Sequence, residues 1–409
     1  MTRCRIVLLL APLLLLPACV VQDVKPLAKI EPQQAQRQIP ADELLDVLVH
    51  TFDPGIPDEQ KDDEDALAKK RIYPDLRLAE SRYLAVMLRN TLESSAQWGA
   101  VRVGPATVQF VDVTIEGRIV ESTGKTLDLE ITARDATGRI WIDKRRYASE
   151  ADLGSYKTDA SLRARDPFQN VFSNIANDLL DARERFSAAQ LRELRQVAQL
   201  QFAQDIAPEA MTGYLVEPAA GAKPAFTRVA RLPAENDPLF ERIDRIRERD
   251  AAVVDTLSGY YTGFAEQMQD SYGSFRRTSY EEVEKEDRAR TSARTRTILG
   301  AAAVAASIFV PSNCNSNSSC RMDSAVRYGG AAGGVAAVLS GLRKYANART
   351  HAQSFRELAT SFQAEVAPQV VDVEGRSLKL SGTAEEQYRE WRKLLREYHE
   401  QDAGPVRGY

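Results

Sequence analysis

VDVTIEGRIVESTGKTLDLEITARDATGRIWI, residues 111–142, alternates apolar and polar positions through three successive runs. Val111, Val113, Ile115 and Ile119 alternate with Asp112, Thr114 and Glu116. Leu127, Leu129, Ile131 and Ala133 alternate with Asp128, Glu130, Thr132 and Arg134, and Ile140 and Ile142 begin a third run. Ser122-Thr123-Gly124 and Thr137-Gly138 supply the turns between them. A period of two puts successive side chains on opposite faces of a strand, so this spacing predicts a three-stranded antiparallel meander with one buried face and one wet face.

Working outward, Pro74 opens a predicted helix in which Ala79, Tyr83, Met87 or Leu88, and Leu92 recur at three and four spacing, with Gly99 stopping it. Val101 and Val103 follow as a short strand broken by Gly104-Pro105. Residues 43–52 form an apolar run that reads as a strand, although Leu44, Leu45 and Leu48 would also suit a helix. Beyond the meander, Asp166-Pro167 starts a helix with the stripe Phe168, Val171, Phe172, Ile175, Ala176, Leu179 and Leu180. These elements define an α+β head at residues 42–186. Their order resembles the auxiliary lipoproteins of envelope ABC transport systems and the N-terminal domain of TolB. The resemblance covers the first half of the chain, rests on topology and implies an accessory role in the envelope.

The second half reads as a connector and a long helical hairpin. Ser187 and Gln190 form a capping-box pattern for another helix, and residues 214–216 and 226–232 suggest a second small sheet within a connector at 187–236. Asp237-Pro238 starts a helix that meets no proline until Pro311. Its aromatics, Tyr260, Tyr261, Phe264, Tyr272, Phe275 and Tyr280, fit either a packed seam or a sugar-stacking surface. Arg288, Arg290, Arg294 and Arg296 precede the apolar stretch at 298–310, and a second apolar stretch occupies 328–342. Both are shorter than the roughly 17 to 25 residues a spanning helix needs. Between them stand Cys314 and Cys320, read as a disulfide. Gly329, Gly330, Gly333, Gly334 and Gly341 leave one helix edge nearly bare, which suits a close helix contact. The span 237–368 is therefore expected to be a stapled antiparallel hairpin whose tip packs in a soluble bundle, or enters a membrane or an oligomer. Residues 369–409 add a β-hairpin and a last helix, expected to pack on the second sheet.

At the N-terminus, Arg3 and Arg5 precede an apolar core at residues 6–16, and Leu16-Pro17-Ala18-Cys19 closes it. A run of that length suits a signal peptide at 1–18. The motif resembles the lipobox of bacterial lipoproteins, which implies a covalent diacylglycerol and an N-acyl chain on Cys19. In that family an aspartate after the cysteine favours inner-membrane retention, and Val20 stands here, so the resemblance points to the periplasmic face of the outer membrane. Residues 19–41, with Pro26, Pro32, Pro40 and several glutamines, read as a tether that spans at most about 70 Å.

Composition limits what the chain does. It has 409 residues, 44% of them hydrophobic and 27% charged, which is globular rather than disordered composition. Loss of the two signal-peptide arginines takes the formal charge from -4 to -6, so there is no basic footprint for nucleic acid. His50, His351 and His399 share no metal-ligand spacing, and the acidic run at 58–65 lacks the mid-loop glycine and closing glutamate of an EF-hand. No hydrolase, zincin, phosphate-loop or dinucleotide motif is present. The expected function is that of a non-catalytic, lipid-anchored envelope protein, a scaffold or an assembly or transport accessory. Its expected partners are outer-membrane lipid and other envelope proteins, with a second copy of itself as a further candidate and no cofactor beyond the acyl chains. The alternatives are a membrane-active or oligomerising protein that inserts the glycine-rich tip, and a peptidoglycan-acting enzyme using a carboxylate pair the sequence does not place.

Overall fold

The computed structural model describes residues 27–61, 63–156, 165–218, 221, 226–309, 369–373 and 376–403. The alternating stretch becomes β3 (Val113–Ser122), β4 (Thr126–Asp135) and β5 (Ile140–Glu150), paired antiparallel as the spacing predicts. Ahead of them lie β1 (Val47–His50), α1 (Glu64–Lys69), α2 (Pro74–Ser94) and β2 (Val101–Gly104). β1 pairs in parallel with both β2 and β3, so the sheet is mixed, in the order β2-β1-β3-β4-β5. Parallel neighbours need a crossover, and α2 supplies it between β1 and β2.

Register decides which face is buried. Val47 and Val49 stand beside Val113 and Ile115, Ile115 beside Ala133, and Ile119 beside Leu129, so one face is a continuous aliphatic layer. That face receives α2 and then α3 (Gln169–Arg183), with Asp166 Oδ1 accepting from Phe168 N at 2.8 Å just ahead of α3. α4 (Ala188–Ile206) begins with the expected capping box at Ser187 and Gln190. A two-stranded sheet, β6 (Leu215–Val216) with β7 (Arg228–Val229), follows it.

α5 (Pro238–Phe309) is an unbroken helix of 72 residues, about 108 Å long at 1.5 Å per residue. It covers the free edge of β2: Val103 N donates to Ser258 Oγ at 3.0 Å, and Arg102 forks onto Asp255 at 2.5 and 3.1 Å. An open edge invites pairing with other chains, and a covering helix removes it. The opposite edge, β5, is protected by Asp143, Lys144, Arg145 and Arg146 and by irregular register against β4. β8 (Gln369–Val373), β9 (Arg376–Leu380) and α6 (Ala384–Ala403) complete the chain. Thr383 and Glu386 cap α6 reciprocally, at 2.8 and 3.2 Å.

Two expectations are corrected. Among the described residues β8 and β9 form a separate two-stranded sheet and do not join β6 and β7, which pair with each other; α6 packs instead on α4, α5 and β9. The second correction concerns the tether, which is strapped to the head from Ala28 onward. Asn170 Nδ2 donates to Ala28 O at 3.0 Å, and its Oδ1 accepts from Ile30 N at 3.0 Å. Gln33 N reaches Asn177 Oδ1 at 2.8 Å, and Ala35 N reaches Ser95 O at 2.9 Å. A proline- and glutamine-rich segment has no period of its own, but its backbone groups are satisfied by asparagines that only the tertiary fold brings there. The core is one cluster running from Leu45 through Tyr272 to Leu395, so the second half shares the head's interior.

Candidate functional site

The densest polar chemistry lies beneath α5, at three levels where charged side chains are buried among aromatics. At the first, Asp250, 7% exposed, accepts from Tyr388 Oη at 3.2 Å and Trp391 Nε1 at 3.1 Å, and Arg392 lies 3.5 Å from it. Arg392 also pairs with Asp205 of α4 and stacks over Phe202, 4.6 Å from the ring centre. Burial pushes the Asp250 carboxyl up, while Arg392 and the two aromatic donors pull it back. These bonds tie α6, α4 and α5 together.

At the second level, Glu80 of α2 is 1% exposed and accepts at Oε1 from Tyr272 Oη and Ser122 Oγ, each at 2.7 Å, with Arg77 3.7 Å from Oε2. Desolvation raises its pKa, with Arg77 as the main opposing influence. At the third, Arg276 donates to Asp166 Oδ2 at 2.9 Å and lies 4.3 Å over the Tyr272 ring and 5.6 Å over the Tyr83 ring. Two rings and one carboxylate thus replace the water that a buried guanidinium loses.

Beyond this, Gly124 of the β3–β4 turn meets α5 directly. A Cβ there would lie 2.0 Å from Arg276 O and 2.3 Å from Tyr280 N, so only glycine permits the approach. Lys125 then clamps Glu284 and Asp287, each at 2.8 Å. Burial and bonding are spread along the helix, which is the arrangement of a seat holding an element in place.

Several clefts flank the seat. One of about 460 Å³ is lined by Tyr83, Asn90, Tyr156, Asp166, Gln269 and Arg276. A second, of about 370 Å³, contains Asp46, Arg102, Phe110, Asp112, Arg195 and Arg247. In it Asp112, 1% exposed, accepts from Asp46 N at 2.8 Å and lies 3.6 Å from Arg195, while its Oδ1 has no hydrogen-bond partner among the described residues. Burial pushes Asp112 up to about 6. The third, an open groove of about 750 Å³ on the outer sheet face, includes His50, Glu116 and Arg134. Burial holds the His50 pKa below its usual value, and its Nε2 lacks a partner among the described residues.

Of the residues singled out from sequence, Cys19, Cys314, Cys320, His351, Gly329, Gly330, Gly333, Gly334 and Gly341 lie outside the described residues, as does the return arm of the expected hairpin. Tyr261, Phe264, Tyr272 and Phe275 are buried in the packed seam rather than spread as a sugar-binding surface. The acidic run supplies Asp63 as the N-cap of α1, and no group of three metal-ligating side chains occurs among the described residues. Sequence reading missed Glu80, Asp250, Arg276 and Arg392; the one available signal was a charge inside an apolar stripe, as with Glu80 between Ala79 and Tyr83. Comparison with protein families, with curated proteins and with solved structures finds no match.

Proposed function

We propose that this chain is a lipid-anchored envelope scaffold, held at the periplasmic face of the outer membrane by acylated Cys19, whose head fixes and presents the long helix α5. The observation that carries this reading is the seat. Buried ion pairs at Asp250 and Arg276, with the hydrogen bond from Tyr272 to Glu80 between them, hold residues 250–276 of α5, and the helix then continues through Asp287 to Phe309. Breaking one partner of a buried pair costs roughly 3 to 5 kcal/mol, so such a seat fixes direction as well as position. An accessory role through contacts with other envelope proteins follows from a rigid projecting element, and the reading assigns no catalytic step.

The second reading, a membrane-active or oligomerising protein, is favoured by one feature. The helix carries the stretch ILGAAAVAASIF at 298–309, whose composition suits lipid or a second helix better than water. The test of the anchor is Cys19→Ser expressed in a diderm host with labelled palmitate. Loss of label together with release into the soluble periplasmic fraction is the expected result. Retention in the outer-membrane fraction without label would overturn the anchor.

A further inference from the structure

We infer that α5 is aimed back at the membrane holding its own N-terminus, so that one lipid surface is the partner of both Cys19 and the apolar stretch at 298–310. The inference rests on the lipid-anchor reading and deepens it: the chain contacts a single surface twice and does not bridge two surfaces.

The contacts of α5 along its length fix its direction, which is antiparallel to α2. Ser258 meets Val103, beside the C-terminal end of α2, whose Arg89 bonds Val101 O at 3.1 Å. Further along, Phe264 lies under Arg82, Tyr272 meets Glu80, and Phe275 packs on Tyr73 at the start of α2. The helix therefore leaves the body at the end where α2 begins.

The N-terminal strap runs the other way. Ile30 O accepts from Arg165, whose neighbour Asp166 bonds Tyr83 and Arg276; this is the level of the middle of α2. Gln33 O then accepts from Gln97 at 3.4 Å, and Ala35 N donates to Ser95 O, both just past the C-terminus of α2. Traced backward, the strap points from the far end of α2 toward the end at which α5 departs.

Lengths allow the contact once the anchor is set. Eight residues lie between Cys19 and Ala28, and the nine steps from one to the other span at most about 30 Å when fully stretched. Along α5, Ile298 lies about 16 Å and Phe309 about 33 Å beyond Asp287, the last residue clamped by Lys125. Asp287 already lies about 18 Å past Phe275, at the start of α2, so the helix extends at least as far in that direction as the tether can. Between clamp and apolar stretch the sequence places Arg288, Arg290, Arg294 and Arg296, a composition that suits the phosphates of a lipid headgroup layer. The apolar stretch is shorter than the roughly 17 to 25 residues a spanning helix needs, so the contact expected is shallow.

The experiment separates this geometry from the question of acylation. The full chain from residue 20 onward carries an N-terminal hexahistidine tag and is docked on phosphatidylethanolamine and phosphatidylglycerol vesicles with a small fraction of nickel-chelating lipid. A dansyl-bearing amino acid replaces Ser307. The expected result is a blue-shifted emission, quenched by brominated lipid in the docking vesicles and lost in the Ala303→Asp/Ala306→Asp variant, which stays docked. An aqueous spectrum on docked vesicles would overturn the inference. So would quenching confined to a second, tag-free vesicle population carrying the bromine, because the helix would then face away from its anchor. Failure of acyl labelling at Cys19 would sink the anchor reading instead, and the tagged experiment reads orientation independently of it.

Discussion

Tyr272 of α5 donates its hydroxyl to Glu80 of α2 at 2.7 Å, deep inside the protein and across 192 positions of sequence. Ser122 completes the site from β3, so helix, sheet and long helix meet on one carboxyl group. Tyr272→Phe leaves Glu80 short of a donor and is expected to cost about 1 to 3 kcal/mol. Glu80→Leu strands Tyr272, Ser122 and Arg77 together and should cost more. The double variant should recover part of the sum, because two stranded partners are removed at once. Urea unfolding of the two singles and the double checks this; strict additivity would show that the two groups do not depend on each other.

Gly124 and Gly263 make opposite predictions from the same substitution. A Cβ on Gly124 collides with backbone atoms of Arg276 and Tyr280, which cannot move unless α5 lifts from the turn. A Cβ on Gly263 meets nothing within 4 Å. Gly124→Ala should lower the melting temperature and speed amide exchange over residues 276–287. Gly263→Ala should raise stability by up to about 1 kcal/mol through helix propensity. Equal melts for the two variants would mean that α5 does not rest on the β3–β4 turn.

The meander, the start of α2 and the caps at Ser187 and Thr383 were legible because each depends on residues close in sequence. A period of two, a proline at the first helical turn or a serine three positions before a glutamine is decided locally. What sequence did not reveal is non-local. β1 is four residues long and lies between two parallel neighbours, so all four of its positions are buried and none shows the alternation that marks β3 and β4. The strap is held by Asn170 and Asn177, whose partners lie 140 and 144 positions away. The buried charges of the seat look like solvated ones until Arg276 is found over Tyr272 and Tyr83, since charge and burial appear separately in a sequence and only packing joins them.

Asp112 gives the molecule a pH dependence with a definite sign. Its carboxyl is pushed from 3.8 to about 6 by burial, so the folded protein holds this proton over a range where the unfolded chain has lost it. Stability contributed by the site is greatest below pH 4, declines as pH rises from about 4 to about 6, and is constant above that. Asp112→Asn cannot titrate and keeps an oxygen for Asp46 N. The stability of the variant relative to wild type should therefore grow across that window by up to about 3 kcal/mol, since each tenfold difference in proton affinity between the folded and unfolded chain is worth about 1.4 kcal/mol. His50 works in the opposite direction, its depressed pKa withdrawing stability as pH falls through and below 6.5, and it cancels in the difference because both proteins contain it. A difference that stays flat from pH 4 to 7 would mean that the buried carboxyl carries its charge as easily as an exposed one.

Asn170 holds the strap at Ala28 and Ile30. Its amide donates to Ala28 O and accepts from Ile30 N, each at 3.0 Å, and it takes a further bond from Arg165 at 3.1 Å. The first two bonds hold the strap against α3, and at about 1 kcal/mol each their loss should raise the population of the released strap some ten- to thirtyfold. Lys29 lies between the two bonded residues, so trypsin reports that release directly. Where opening and closing are fast compared with cleavage, the rate follows the open population. Asn170→Ala is accordingly expected to accelerate cleavage after Lys29 by about that factor, while the cooperative melt of the body shifts far less. Asn177→Ala removes the next pair of bonds, to Gln33 N at 2.8 Å and Glu31 O at 3.1 Å, and should have a smaller effect because that site is exposed. Unchanged cleavage in both variants would mean that the strap is held by something other than these asparagines. The inferred bearing of α5 on a lipid surface would then lose its support.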